Sequence, residues 1–327
     1  MNVKSKVGRI AKLIGSLLVL SFDYCRTIVC KALGKNIRGT SVVLFYHSVS
    51  SEQRQRFARQ MDTLIRWTQP IPVDIDFPPA NHARCAAVTF DDGFQNVIDN
   101  ALPELKARGI PSTIFIVTDN LGRPPEWESY ASESDRLTTI MSLEELQSLP
   151  SDLVTIGSQT MTHPMLTLLG EQEAKKQLAE SRTKLERILN RPVKLFGFPY
   201  GAFNDNLVQW CREAGYDRVF TILPVLAFSS RHEFVTGRVW AEPSDWSVEF
   251  CLKLLGAYRW LPVAFAFKRR ILSWVYRADA AKLSRKAVAA NRYSAQGTYT
   301  AHPQGKVRDE APTPSARVVD FNSINKP

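Results

Sequence analysis

Between residues 42 and 222, short apolar runs alternate with longer segments of helical periodicity, and this limits the fold more than any other feature. The runs are VVLFY (42–46), CAAVTF (85–90), STIFIV (112–117), LVTIG (153–157), KLFGF (194–198) and RVFTI (218–222). They are too short for helices and rich in β-branched and aromatic residues, so they read as buried strands. The stretches RFARQMDTLIRW, FQNVIDNALPELKARG, SLEELQSL, EQEAKKQLAESRTKLERILN and DNLVQWCREAG between them read as helices. Repeated strand-then-helix units need crossover connections and so predict a parallel sheet, closed into a barrel or doubly wound. At 327 residues the chain is long enough for one large α/β domain with a sizeable core, or for two smaller ones. In such sheets chemistry gathers at the C-terminal ends of strands. Here YHS follows VVLFY, DDG follows CAAVTF, SQTMTH follows LVTIG and PYG follows KLFGF.

The formal charge of +10 is unevenly spread. Residues 1–40 hold eight basic residues against one acidic, and 253–327 hold 14 against four, whereas 41–252 hold 20 against 27. An acidic middle does not favour nucleic acid as a partner, while basic ends favour an anionic surface such as a membrane. In residues 1–40, Ile10, Leu13, Ile14, Leu17 and Leu18 have amphipathic spacing. The longest uncharged run there, LIGSLLVLSF, falls short of the ~18–20 residues of a spanning helix, and no small-x-small cleavage site follows. LGAYRWLPVAFAFKRRILSWVYR mixes aromatic and basic residues as interfacial segments do, so 257–283 reads as a basic aromatic helix. The alternative is that both pieces pack on the domain surface. Residues 284–327 read as a disordered tail. Cys25, Cys30, Cys85, Cys211 and Cys251 form no CxxC pair, which fits a reducing compartment.

Three strand ends hold candidate chemistry. Asp91 and Asp92 are adjacent acids ahead of Gly93, able to diverge toward a metal and toward a water; alone, Asp-Asp-Gly is more often a capped turn. His163 follows LVTIG in a loop, where a lone histidine is usually solvated or hydrogen-bonded. Converging with an Asp at one barrel mouth, it suits a zinc-type site. In FGFPYG the backbone N–H of Tyr200 could face a developing oxyanion, or the segment is an ordinary turn.

Taken together, VLFYHSVS (43–50), VTFDDGFQNVIDNALPELKARGIPSTIFIV (88–117), IGSQTMTHPMLT (156–167) and FGFPYGAFND (196–205) resemble the polysaccharide deacetylase family, the NodB-homology or carbohydrate esterase family 4 group. The resemblance covers about 200 residues in family order and implies a distorted, incomplete (β/α) barrel over 41–256. It implies Asp91 as general base, Asp92 and His163 as ligands of a divalent metal (zinc, or else manganese or cobalt), and Tyr200 as oxyanion donor. His47, from the YH motif, is the preferred acid for the leaving amine, with His232 a weaker candidate.

Two departures stand out. The family's His-Ser/Thr-x-x-His reads Gln159-Thr160-Met161-Thr162-His163, so a harder, weaker amide donor replaces an imidazole. Gly197 stands where many relatives have an Arg that orients the base, although relatives of the shorter PYG type lack it too. Asp205 and the Asp245-Trp246 pair could shape the pocket or serve the surface and core. The resemblance implies removal of N-acetyl groups from an amino-sugar polysaccharide, oligosaccharide or lipid-linked glycan. A cytoplasmic, membrane-associated location is expected, with a periplasmic one behind an uncleaved anchor as the alternative. Two other readings stay open: a deacetylase fold reduced to glycan binding or scaffolding, and a membrane-interacting protein whose ends matter most.

Overall fold

The computed structural model describes residues 3–35, 39–76, 84–127, 138–267 and 270. Helix α1 (Val3–Ala32) leads into β1 (Thr40–Tyr46), α2 (Arg54–Trp67), β2 (Gln69–Pro70), β3 (Arg84–Phe90), α3 (Leu102–Ala107) and β4 (Ser112–Ile116). Then come α4 (Leu143–Ser148), β5 (Val154–Ser158), α5 (Glu171–Leu189), β6 (Leu195–Gly197), α6 (Asp205–Glu213) and β7 (Arg218–Phe220). β8 (Val235–Thr236), β9 (Val239–Trp240) and α7 (Ser247–Leu254) come next, followed by a 3-10 turn (Ala257–Trp260). Each run read as a strand is one.

Local chemistry sets several helix ends. At α4, the Ser142 side chain accepts the Glu145 N–H and the Glu145 carboxylate accepts the Ser142 N–H, a reciprocal capping box. The Asn204 side chain caps α6 through the Leu207 N–H. The segment before α3 differs from the continuous helix predicted over FQNVIDNALPELKARG. A π-turn spans Val97–Ala101 before α3 resumes. Pro103 has no N–H for the α-helical bond, and a wider turn absorbs the mismatch.

The strands pair in parallel in the order β8-β7-β6-β5-β4-β3-β1-β9, with β2 also against β3. The two ends of this path are sequence neighbours. Only Gly237 and Arg238 separate β8, paired to β7, from β9, paired to β1. Two residues span roughly 10 Å at most, so the sheet must curl until its edges nearly meet. No ladder joins β8 to β9. The result is the distorted, incomplete (β/α) barrel, and Arg238 lies in its seam.

The strand runs are buried on both faces. On one side Tyr46 packs against Phe57 of α2 (ring centroids 5.3 Å) and Phe90 (5.7 Å), directly below the strand ends that carry His47 and Asp91. Phe57→Ala should destabilise the fold by about 3–5 kcal/mol, read as a shift of the urea midpoint at constant m-value. An unchanged midpoint would show that α2 contributes little to holding β1 and β3.

Up to Trp260 the chain forms one compact unit that includes α1. The uncharged run in α1 is short by sequence, yet the helix from Val7 to Ala32 is long and apolar enough to cross a membrane. Its 26 residues rise roughly 39 Å, interrupted in their apolar stretch by isolated charges such as Asp23 and Arg26. The helix anticipated over 257–283 is seen as far as Phe267, and the tail read over 284–327 lies outside the described residues.

Candidate active site

Backbone bonds continue the sheet past its strands and set the motif residues at one rim. The Asp91 N–H donates to Tyr46 O (2.8 Å), the Gln159 N–H to Ile116 O (2.9 Å) and the Phe198 N–H to Phe220 O (3.1 Å). The chain then turns sharply. Asp92 (φ 70°), Thr160 (φ 74°), His163 (φ 58°) and Tyr200 (φ 57°) all adopt left-handed backbone, a conformation that costs a non-glycine residue energy. Four such residues at one rim mark it as the place where side-chain direction outweighs backbone comfort. Gly201 (φ 65°) follows Tyr200, and a Cβ on it would collide with Ile222.

The 160–163 loop is held from two sides. Gln177 of α5 accepts the Met161 and Thr162 N–H groups, and the Thr160 hydroxyl accepts the His163 N–H (3.0 Å). The His163 ring stacks on Trp127 (4.6 Å, 27° between planes) and meets the edge of Tyr200 (4.7 Å). Its Nε2 lies 3.3 Å from Asp92 Oδ1. Burial alone would push the Asp92 carboxyl up; the adjacent His163, with a smaller effect from His47, outweighs it and holds the group below the ordinary carboxylate range.

Gln159 is buried between these groups. Its amide oxygen accepts the Asp92 N–H (2.8 Å) and its Nε2 approaches His163 Nε2 (3.3 Å). Among the described residues no cluster of three or more His, Cys, Asp and Glu side chains could hold a metal. The rim offers two such donors plus an amide. Asp92 Oδ1 and His163 Nδ1 are nevertheless buried without a hydrogen-bond partner. A carboxylate oxygen orphaned beside an imidazole fits a divalent cation, with Asp92 and His163 as donors and Gln159 as the third, weaker neighbour.

Asp91 has a different environment, and sequence reasoning missed its partner. Arg238 forks onto it with Nη1 2.6 Å from Oδ1 and Nη2 2.9 Å from Oδ2, and both side chains are buried. Further bonds reach the Thr89 hydroxyl and Thr221 O. The guanidinium lies over the rings of Phe45 (4.7 Å) and Phe115 (5.1 Å). A Cβ on Gly197 would press on that same Phe115. The ring thus fills the space above position 197, and the cation comes instead from the barrel seam. The one hint in the sequence is an arginine set between the apolar pairs of VTGRVW, a charge that could be buried only with a partner.

The structure therefore gathers Asp91, Asp92, Gln159, His163 and Tyr200 at one rim. His47 is half-buried at the end of β1, its ring edge-on to Phe45. His232 is exposed in a turn before β8. Asp205 opens α6, while Asp245 is buried against Lys253 (2.6 Å) and Trp246 lies under Arg9 (4.3 Å), outside the cluster just described.

Residues 79–219 match the family model described as polysaccharide deacetylase. YxkH of Bacillus subtilis strain 168 is 22% identical over 214 residues, covering 62% of this chain and 71% of that protein. The poly-β-1,6-N-acetyl-D-glucosamine N-deacetylase of Staphylococcus aureus strain MRSA252 is 26% identical over 149 residues. That match covers 42% of this chain and spans less than half, 48%, of the relative. Among solved structures, IcaB from Ammonifex degensii superposes with a TM-score of 0.56 at 25% identity, covering 66% of this chain and 97% of that one.

Proposed function

We propose that this chain, which carries a polysaccharide deacetylase domain of the NodB-homology type, hydrolyses the N-acetyl group of an amino sugar in a polysaccharide, oligosaccharide or lipid-linked glycan. The observation that carries the reading is Asp91, a buried carboxylate fixed by Arg238 on the residue next to Asp92 and its orphaned oxygen. A divalent cation held by Asp92 and His163, zinc before manganese or cobalt, would supply Lewis acidity toward the acetamide carbonyl and acidify a water.

Asp91 takes the proton of the attacking water as general base. Arg238 is a positioning residue, presenting both carboxylate oxygens in a fixed plane. As water oxygen bonds to the acetyl carbon, the Tyr200 N–H donates to the oxygen that gains charge. The C–N bond then breaks, His47 gives its proton to the leaving nitrogen, and the products are acetate and the free amino sugar. Incubating the full chain with N-acetylglucosamine oligomers and each metal, and following amine appearance, tests this. Turnover that chelator abolishes supports the reading, and none with any metal or linkage opposes it.

Gln159 supports a second reading, in which the fold binds glycan without hydrolysing it. Its amide already bridges the Asp92 N–H and the His163 ring, as a neutral stand-in for a cation. Gln159→His separates the two. An imidazole at this position should tighten zinc binding by at least ~10–100-fold, measured calorimetrically on metal-stripped protein. The same change orphans the buried Asp92 N–H and should lower metal-free stability by about 1–3 kcal/mol, with zinc restoring it. Wild-type protein that takes up no metal, beside a variant that does, would favour the binding module.

A further inference from the structure

Helix α1 faces its own domain with the wrong side for a soluble protein. Arg9 bonds Glu249 of α7 (2.6 Å) and lies over Trp246. Lys12 is drawn into the same contact, where burial and Lys253 hold its ammonium below the ordinary range. The buried Ser16 accepts the Trp260 indole N–H (3.0 Å), with that ring against Gly15, and Asp23 accepts from Arg259 (2.6 Å). Residues 9, 12, 16 and 23 share one stripe of a helix with 3.6 residues per turn. The opposite stripe holds Val7, Ile10, Ile14, Leu17, Leu18, Phe22, Ile28 and Val29, all exposed, Leu18 by 67% and Phe22 by 69%.

A helix docked on a water-soluble domain normally turns its apolar stripe inward, since burying that stripe is what stabilises the docking. Here the inward side carries Arg9, Lys12, Ser16 and Asp23 beside half-buried Leu13, Val19 and Leu20, while the wider apolar stripe is outside and needs an apolar medium of its own. The charges indicate which. The only acid of residues 1–40, Asp23, is neutralised against the domain by Arg259, while exposed Arg26, Lys31 and Lys35 flank or follow the apolar stripe. Apolar surface edged by cations complements an anionic bilayer face.

We infer that α1 lies in the plane of an anionic lipid bilayer, its apolar stripe sunk below the headgroups and the domain clamped along its other side. The clamp bears on whether the helix crosses. Contacts from Arg9 to Asp23 extend over roughly 21 Å of axis, and a helix tied to a polar domain over that length cannot thread a hydrocarbon core beside it. This holds whether or not the rim residues hydrolyse anything.

Vesicle flotation of the full chain tests it. The protein should float with phosphatidylcholine–phosphatidylglycerol vesicles, much less with phosphatidylcholine alone, and alkaline carbonate should release it. Ile14→Glu with Leu18→Glu should cut partitioning ~10-fold or more without changing the melting curve, and Phe22→Ser, a milder change, serves if that pair misfolds. Retention through carbonate would mean that α1 spans. Equal binding to both vesicle types would remove the anionic specificity. Failure to float would overturn the inference, and a concentration-dependent dimer lost in Leu18→Glu would show that a second copy covers the stripe.

Discussion

Asp91→Asn is expected to lower amine release from an N-acetylated glucosamine oligomer by about 10²–10⁴-fold in kcat/KM. The side chain keeps its shape but can no longer take a proton from water, and no other described carboxylate is fixed in its place. Asp92, the adjacent acid, turns away through left-handed backbone toward His163. The substitution also leaves the Arg238 guanidinium buried against a neutral amide, so activity has to be read below the variant's own melting temperature. A folded Asp91→Asn protein with wild-type turnover would remove Asp91 from the base role and with it the mechanism. Zinc binding should survive in this variant, because the cation-facing donors are Asp92 and His163; in Asp92→Ala it should vanish.

Arg238→Met is expected to cost about 3–5 kcal/mol of stability, because it leaves a nearly buried carboxylate without its charge partner. Arg238 is fully buried and the Asp91 side chain only 4% exposed, so bulk solvent is a poor substitute partner for either charge. Combining Arg238→Met with Asp91→Asn should recover part of the loss, since no charge is then left unpaired. A double-mutant cycle on chemical denaturation should return a coupling above about 1.5 kcal/mol. Additive effects would mean that the pair is held by its surroundings and not by its partner. Arg238→Lys separates positioning from charge: an ammonium lacks the planar fork. It should lower kcat with little change in KM, whereas a purely structural arginine would lower neither once the protein is folded.

The two predictions differ in how much of them could be read along the chain. Asp91 stands out because a turn motif ends an apolar strand in a strand–helix series, a pattern that by itself fits a capped turn; the base role is implied only by the family resemblance. Gln159 was visible as a departure, but its effect was not: the sequence showed a weaker donor, and the structure shows an amide already bonded to the Asp92 backbone and facing the His163 ring. Arg238 could not be inferred from spacing. It acts from 147 residues away, between two strands of two residues each, too short for any periodicity to register. The π-turn before Pro103 was missed for a related reason, since apolar periodicity survives a local change in hydrogen-bond pattern.

What the sequence determined by itself was local and repetitive: strand and helix runs, their parallel pairing through crossovers and the identity of the acids. These depend on side-chain periodicity and backbone preference over a few residues, which a single chain states directly. What only the tertiary structure decided was which distant groups share buried space. The curl of the sheet brings its two ends together at Gly237 and Arg238 and turns an isolated arginine into the partner of Asp91. The tertiary structure likewise shows that α1 turns Arg9, Lys12, Ser16 and Asp23 toward its domain and leaves its wider apolar stripe outside. Both depend on contacts between residues about 150 or more positions apart, and the free energy of burying or exposing a charge is fixed by those contacts, not by its neighbours in the chain.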